Sequence, residues 1–469
     1  MTTFVEAVQN QSARTTNGMK ARKSTASACV DLFFKIGASR GKDITKEFIA
    51  AYLEDRQLAL RIALWARDVR GGAGERELFR QILRYIDVHD ADATQAILKK
   101  IPEVGRWDDI FEVKTNKPYA FTMLGDALRA RNGLAAKWTP RQGKLAAEIR
   151  QFFGMSPKFY RKSLVELTNV VEQQMCANDW DNINHSHVPS LAASRYKKAF
   201  TRHGTKFAEY VEKLKKGEAG VKVNAAAVYP YDVLKGVSNI AHQAKFGKVE
   251  LDHIVAQWEA LPDYVGDASI LPLVDVSGSM QCAAGKNSTT SCLDVAVSLG
   301  LYLADKNKGK FKDTFLTFSS KPELLHLKGN IVQKIAQMNS STWTMSTDLV
   351  KAMEKILKTA VEGNVPQGEM PKMLLILSDM QFNHCADFDD SAMRMINRKF
   401  ESAGYTVPQI VFWNLNAYDN VPVKHDAKGV ALVSGFSPAI MKSILSADME
   451  QFTPYGIMMK AVMVPRYDF

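Results

Sequence analysis

The stretch Ile270-Leu-Pro-Leu-Val-Asp275-Val-Ser277-Gly278-Ser279-Met280 constrains this chain more than any other. A short apolar run that breaks into Asp-x-Ser-Gly-Ser reads as a buried parallel strand ending in a loop of small oxygen-bearing side chains. One carboxylate and two hydroxyls at the carboxyl end of a strand suit a hard divalent cation, Mg2+ or else Mn2+ or Ca2+, which takes oxygen ligands. Two later stretches add oxygens: Thr347-Asp348 opens an apolar helical run from Leu349 to Ala360, and Leu374-Leu-Ile-Leu-Ser378-Asp379 is a second apolar strand ending in a carboxylate.

The alternation continues to the end of the chain. A helical run from Leu293 to Asp305, a strand Thr314-Phe-Leu-Thr-Phe, a helix over 331–338, the helix after Thr347, a strand over 373–378, a helix over 391–403, a strand over 409–414, a short strand near Val430–Val433 and a helix over 438–447 follow in turn. Strands alternating with helices predict a doubly wound parallel sheet over 266–469, with ligands outside the carboxyl ends of its strands. Asp275, Ser277, Ser279, Thr347 and Asp379 all fall on that edge.

Before residue 266 the pattern differs. Residues 1–25 are polar, with a small basic cluster at Lys20-Ala-Arg-Lys-Ser, and are expected to form a flexible N-terminus. From Ser27 onward apolar residues recur at helical spacing, as in Ala28, Val30, Leu32 and Phe33 or Leu58, Ile62, Leu64 and Trp65, with glycine and charged breaks at helix-hairpin lengths. Stacked helical pairs of the HEAT kind over 26–265 would produce this, giving a chain of α plus α/β class. At 469 residues and 46% hydrophobic, the chain is long enough for both parts.

Charge divides the chain at the same place. From Asp267 onward Lys+Arg and Asp+Glu balance at 20 each, so the whole excess of +11 lies in the helical part. Such segregation is what a polyanion-binding module joined to a neutral one shows. Pro189-Ser-Leu-Ala-Ala-Ser-Arg195-Tyr196-Lys197-Lys198-Ala-Phe200-Thr-Arg202-His203-Gly-Thr-Lys206 interleaves basic and aromatic residues. Cations there meet phosphates and rings stack on exposed bases. Tyr196, Phe200, Phe207 and Tyr210 also recur near helical spacing, so at least half of these rings are expected inside, leaving Arg195, Lys197, Lys198, Arg202, His203 and Lys206 as RNA contacts. Arg70 and Arg76 flank the glycines of Arg67-Asp-Val-Arg70-Gly-Gly-Ala-Gly-Glu-Arg76, which reads first as an interhelical turn and second as an arginine-bearing loop near phosphates. Ile101-Pro-Glu-Val-Gly-Arg-Trp107-Asp108-Asp109 reads likewise as a joint.

Asp275-x-Ser277-x-Ser279, followed by Thr347 and Asp379, resembles the metal-ion-dependent adhesion site of von Willebrand factor A domains. The resemblance implies that the two serines and the threonine touch the metal directly or through water, that the aspartates hold its waters, and that one position stays open for an acidic group on a partner. A second resemblance is carried by Ala63-Leu-Trp-Ala-Arg-Asp-Val-Arg-Gly-Gly-Ala-Gly-Glu-Arg, Pro102-Glu-Val-Gly-Arg-Trp-Asp-Asp, Pro189-Ser-Leu-Ala-Ala-Ser-Arg-Tyr-Lys-Lys-Ala-Phe and Tyr229-Pro-Tyr-Asp. These are similar to the TROVE module of the Ro family, and nearest to a TROVE-like branch of it. That likeness implies a ring of helical repeats closed by an A domain, binding small noncoding RNAs on a basic face and single-stranded RNA ends in a central hole.

Other chemistries leave less trace. No Gly-x-x-x-x-Gly-Lys-Ser/Thr loop, Gly-x-Ser-x-Gly elbow or His-Glu-x-x-His occurs, so the chain is read as a non-enzymatic binder with no catalytic residues. Cys282, Cys292, His384 and Cys385 fit no common zinc spacing, and five scattered cysteines suit reduced thiols. No apolar stretch reaches the about 18 to 20 residues that cross a bilayer, and the start lacks the regions of a signal peptide, so a cytoplasmic protein without a membrane partner is expected. The rival reading is a protein-interaction scaffold whose metal recruits an acidic group, with RNA incidental.

Overall fold

The computed structural model describes residues 12–168, 170–225, 228–235, 237, 245–285, 288–318, 321–339, 348–382, 392–418 and 420–469. Among these, β1 (Ser12–Arg14) and β2 (Lys20–Arg22) form an antiparallel pair. The strands β3 (Ile270–Asp275), β4 (Thr314–Phe318), β5 (Leu324–His326), β6 (Met373–Ser378), β7 (Gln409–Asn414) and β8 (Val430–Ser434) form one sheet in the order β5-β4-β3-β6-β7-β8. All neighbours in it run parallel except β4 and β5.

Every residue of β3, β6 and β8 is buried, because helices cover both faces. Alternate residues go to opposite sides. Ile270, Val274, Leu375, Leu377, Val411, Trp413 and Val433 join one apolar cluster, while Leu271, Leu273, Leu374, Ile376, Ile410, Phe412 and Leu432 join another. The Cys292–Lys306 helix packs on the first face. The Leu349–Glu362 and Ala392–Ser402 helices cover the second. The expected doubly wound sheet is present, with an antiparallel edge strand, β5, that the apolar pattern does not announce because its residues are half-exposed.

The helical part runs from the Ala28–Ile36 helix to the Lys248–Glu259 helix. Small polar residues set several of its starts: the Ser27, Asp55, Asp90 and Ser156 side chains accept from the backbone N–H three residues on. One of its cores is its own, the cluster of Ile183, Phe200, Phe207 and Val211, and the other is shared with the sheet. The cluster holding Phe33, Trp65, Leu83 and Ile101 is continuous with the one holding Val274, Leu299, Trp413 and Val462. The join is the first helix lying against β8. Gly37 N–H donates to the Ser434 hydroxyl, and that hydroxyl donates to the Phe33 carbonyl, both at 2.9 Å.

One expectation needs correction. Residues 12–22 are not a loose tail: Arg22 pairs with Val421, the Thr15 hydroxyl bonds the Phe382 carbonyl at 2.6 Å, and the Asn17 amide bonds the Gln381 carbonyl at 2.6 Å. Backbone bonds to residues hundreds of positions away leave no local pattern for a sequence reading to find. The end of the chain carries a Pro454–Val462 helix, unpredicted because it packs along most of its surface. Beyond it Arg466 and Tyr467 close on Asp68, a fully buried acid, with Tyr467 Oη 3.1 Å from its Oδ2. Arg466 also bonds Glu103 at 3.1 Å, and Arg61 bonds Asp468 at 2.6 Å.

A Cβ on Gly37 would lie 2.4 Å from the Ser434 carbonyl oxygen, while one on Gly368 would meet nothing within 4 Å. Gly37 has an ordinary helical φ of −69°, so crowding is the only cost of a side chain there. Gly37→Ala is expected to destabilise the protein by about 1–3 kcal/mol, as over-packing does elsewhere, and Gly368→Ala to leave the thermal midpoint unchanged. Equal midpoints for the two variants would show that this seam does not carry the fold.

Candidate functional site

β3 lies where the sheet order reverses: the chain leaves it for β4 on one side and returns as β6 on the other. At such a point the carboxyl ends of two neighbouring strands part and leave a crevice. Val274 of β3 pairs with Leu377 of β6, so Asp275 comes opposite Ser378 and just before Asp379. The Ser378 hydroxyl donates to Asp275 Oδ2 at 2.5 Å, and the Ser277 N–H donates to Asp275 Oδ1 at 2.9 Å. The Ser277 and Ser279 hydroxyls are 3.0 Å apart, and the Ser279 hydroxyl bonds Asp379. Four of the five candidate ligands therefore meet. Thr347 lies outside the described residues; the neighbouring Asp348 caps the Leu349–Glu362 helix through Lys351 N–H at 3.0 Å.

Both carboxylates are fully buried. Burial first, then the charge of Asp379, raises Asp275 to about 7, and burial raises Asp379. Asp379 Oδ2 has no hydrogen-bond partner among the described residues. A buried acidic oxygen without a donor costs stability unless a proton or cation meets it. An all-oxygen set with such an orphan fits a hard divalent cation better than a soft one.

Residues from elsewhere surround this edge. Lys42, between the first two helices, bonds Asn416 Oδ1 at 3.0 Å and the Ala417 carbonyl, and its charge acts on Asp379. Gln381, two residues past Asp379, bonds the Thr16 N–H at 2.7 Å. Neither Lys42 nor the N-terminal pair was legible as part of the site, since each comes from a segment with no motif. Cys282 and Cys292 lie beside it with their sulfurs 3.4 Å apart; among the described residues no three His, Cys, Asp or Glu gather as a metal cluster. His384 and Cys385 lie outside the described residues.

The basic stretch forms the Ser190–His203 and Thr205–Lys215 helices. Arg195, Lys198 and Arg202, at spacings of three and four, share one exposed stripe, and none is held in an ion pair among the described residues. His203 stacks on Trp180 with ring centroids 4.8 Å apart, and Lys206 bonds the Asp181 carbonyl at 2.5 Å. Phe200, Phe207 and Tyr210 are buried as expected of helical spacing. Lys197 needs correction: it is only 5% exposed, on the same face as Ala193 and Phe200, so it is not a surface contact. Burial first, then Lys198, lowers it to about 8.

Arg70 and Arg76 are exposed, but the loop between them is built for packing. A Cβ on Gly72 would lie 1.8 Å from the Trp65 carbonyl, and one on Gly74, at φ +72°, 1.8 Å from Tyr229 Oη. Glu75 is buried against Arg40 at 2.7 Å. Arg67 and Arg80 each bond the buried Asp109 at 2.7 Å, which makes the Gly105–Asp109 stretch the joint it resembled. Arg76 stands beside Arg80 and Arg106, and their charges, after burial, lower its own affinity for protons.

Comparison with known proteins places the chain as follows. A family model described as a domain of unknown function, DUF7788, matches residues 269–461, and another so described, DUF2828, matches 15–91 and 155–271. The two meet at the start of β3. An uncharacterized protein, L728, of Acanthamoeba polyphaga mimivirus is 28% identical over 511 residues, covering 95% of this chain and 86% of that protein. The crystal structure of the Deinococcus radiodurans RO (RSR) protein aligns with a TM-score of 0.47 at 14% identity, covering 94% of this chain and 100% of that one.

Beneath the basic stripe, His253 is fully buried with neither ring nitrogen bonded among the described residues, and His185 lies in the same cluster. Burial lowers His185 to about 4; burial first, then Lys197 and His185, lowers His253 to about 3. Unfolded histidines bind protons near 6.5, so below that pH the unfolded state carries more protons than the folded one, and stability falls from pH 6.5 toward 4. Each such histidine contributes about 1.4 kcal/mol per pH unit in that window. His253→Leu is expected to lose less melting temperature between pH 7.5 and pH 5 than the natural protein; an equal loss would place the dependence elsewhere.

Proposed function

We propose that this protein binds RNA without catalysing a reaction, through the exposed cationic stripe of Arg195, Lys198 and Arg202 with His203 and Lys206 at its end. The observation that carries this reading is the stripe itself: cations at one face of a helix, free of ion pairs among the described residues, beside the Trp180 ring, in the half of the chain that holds all the excess positive charge. Arg70 and Arg76 are a secondary contact. The TROVE likeness of the sequence motifs supports small noncoding RNAs or single-stranded RNA ends as ligands, held by helical repeats of the HEAT kind arranged as a ring, and a ribonucleoprotein role in the cytoplasm.

The carboxyl edge of the sheet is proposed as a Mg2+ site of the adhesion type, held by Asp275, Ser277, Ser279 and Asp379, with Thr347 as the fifth residue. Bound there, the cation supplies a point of attachment for an acidic group, while the chain's own serines and aspartates fix its position. The unbonded Asp379 Oδ2 supports this part and also favours the second reading, a metal-dependent protein-interaction scaffold.

RNA retention measured against salt separates the two. Arg195→Glu with Lys198→Glu is expected to weaken RNA binding at least tenfold and to flatten its salt dependence. Unchanged affinity, or no RNA with the purified protein, favours the scaffold. For the metal, Mg2+ at about 100 times its Kd should stabilise the protein by about 2.7 kcal/mol. Asp379→Asn, which removes a buried charge, is expected to melt no lower than the natural protein in chelator and to lose the gain in Mg2+; a preserved gain would refute the site.

A further inference from the structure

We propose that Cys282 and Cys292 are a peroxide-oxidised thiol pair that closes to an intrachain disulfide beside the Ser277–Gln281 turn. Their sulfurs are 3.4 Å apart. The backbone already holds them in register: Ala283 pairs with Ser291 in an antiparallel bridge, Cys292 N–H donates to the Cys282 carbonyl at 2.9 Å, and Ala284 N–H donates to the Thr290 carbonyl at 2.8 Å. The two cysteines are thus directly opposite, where antiparallel neighbours have Cα atoms about 5.5 Å apart, inside the range of about 4.4–6.8 Å that disulfides span. Side-chain rotation alone brings the sulfurs to bonding distance.

The two thiols differ in access. Cys282 is half-buried and receives the Asn416 amide at 3.4 Å, while Cys292 is 1% exposed at the first residue of the Cys292–Lys306 helix. Cys282 is therefore the sulfur that a small peroxide reaches first. Its thiolate attacks one peroxide oxygen, the O–O bond breaks, water leaves, and Cys282 becomes a sulfenic acid. The Cys292 sulfur then attacks the Cys282 sulfur, the S–O bond breaks, and a second water leaves with the Cys292 proton. Two thiols lose two protons and two electrons, and one peroxide becomes two waters. The bond ties the turn carrying Ser277 and Ser279, whose end is fixed by Cys282 N–H on the Ser279 carbonyl, to the helix that covers the sheet.

The test uses the full chain and hydrogen peroxide. Lys286 separates the two cysteines, so trypsin yields peptides 249–286 and 287–306, each with one cysteine. After peroxide treatment of folded protein and maleimide blocking, these peptides are expected joined, and dithiothreitol should separate them. Cys176→Ser, removing an exposed thiol, should leave their yield unchanged. In Cys292→Ser protein, Cys282 is expected to stop at the sulfenic acid and take up dimedone at least tenfold more than in the natural protein. The proposal is overturned if Cys282 is recovered joined to Cys29, Cys176 or Cys385, if the pair joins only in urea, or if natural and Cys292→Ser proteins take up dimedone equally.

Discussion

The Ser434 hydroxyl ties the first helix to the end strand of the sheet. It accepts from Gly37 and donates to Phe33, and a side chain at position 37 would run into the Ser434 backbone carbonyl. β8 ends the sheet, and an uncovered end strand invites pairing with other chains. Here the first helix shields it. The chain therefore begins its helical part by covering an element made near its end, and one apolar cluster runs through both parts. Phe33, on that helix, sits 4.4 Å from the Trp65 ring, which carries the contact on into the Arg56–Arg67 helix.

With the sheet fixed in this way, its chemistry follows from strand order. Reversal at β3 puts two carboxylates side by side in the interior. Lys42 bonds the neighbouring strand end, at Asn416 and Ala417, and its charge acts on Asp379. The pairing of a costly interior charge with small hydroxyls is what distinguishes this edge from the packed opposite end of the sheet.

How much of this could be read from the chain depended on the range of the interaction. Alternating apolar strands and Asp-x-Ser-x-Ser are local, and they located β3, β6, β7, β8 and four of the five candidate ligands in one crevice. The spacing of Phe200, Phe207 and Tyr210 correctly sent those rings inward. The same spacing sends Lys197 inward too, since it lies four residues after Ala193 and three before Phe200, and its position outweighs its charge. The β1–β2 pair, Lys42 and the buried acids Asp68 and Asp109 depend on partners far along the chain, and polarity alone made them look like surface.

Asp68 has one further consequence, for the order in which the molecule can be completed. It is fully buried, yet Arg466, the cation that meets it, comes 398 residues later. At the usual pace of translation, about 5–20 residues per second, the acid emerges from the ribosome roughly 20–80 s before its counterion. Until then Asp68 lacks the guanidinium and the hydroxyl that meet it in the complete fold. The stretch from Pro465 to Asp468 is thus the last-made piece of the acid's surroundings, joining Asp68, Glu103 and Arg61 in one place.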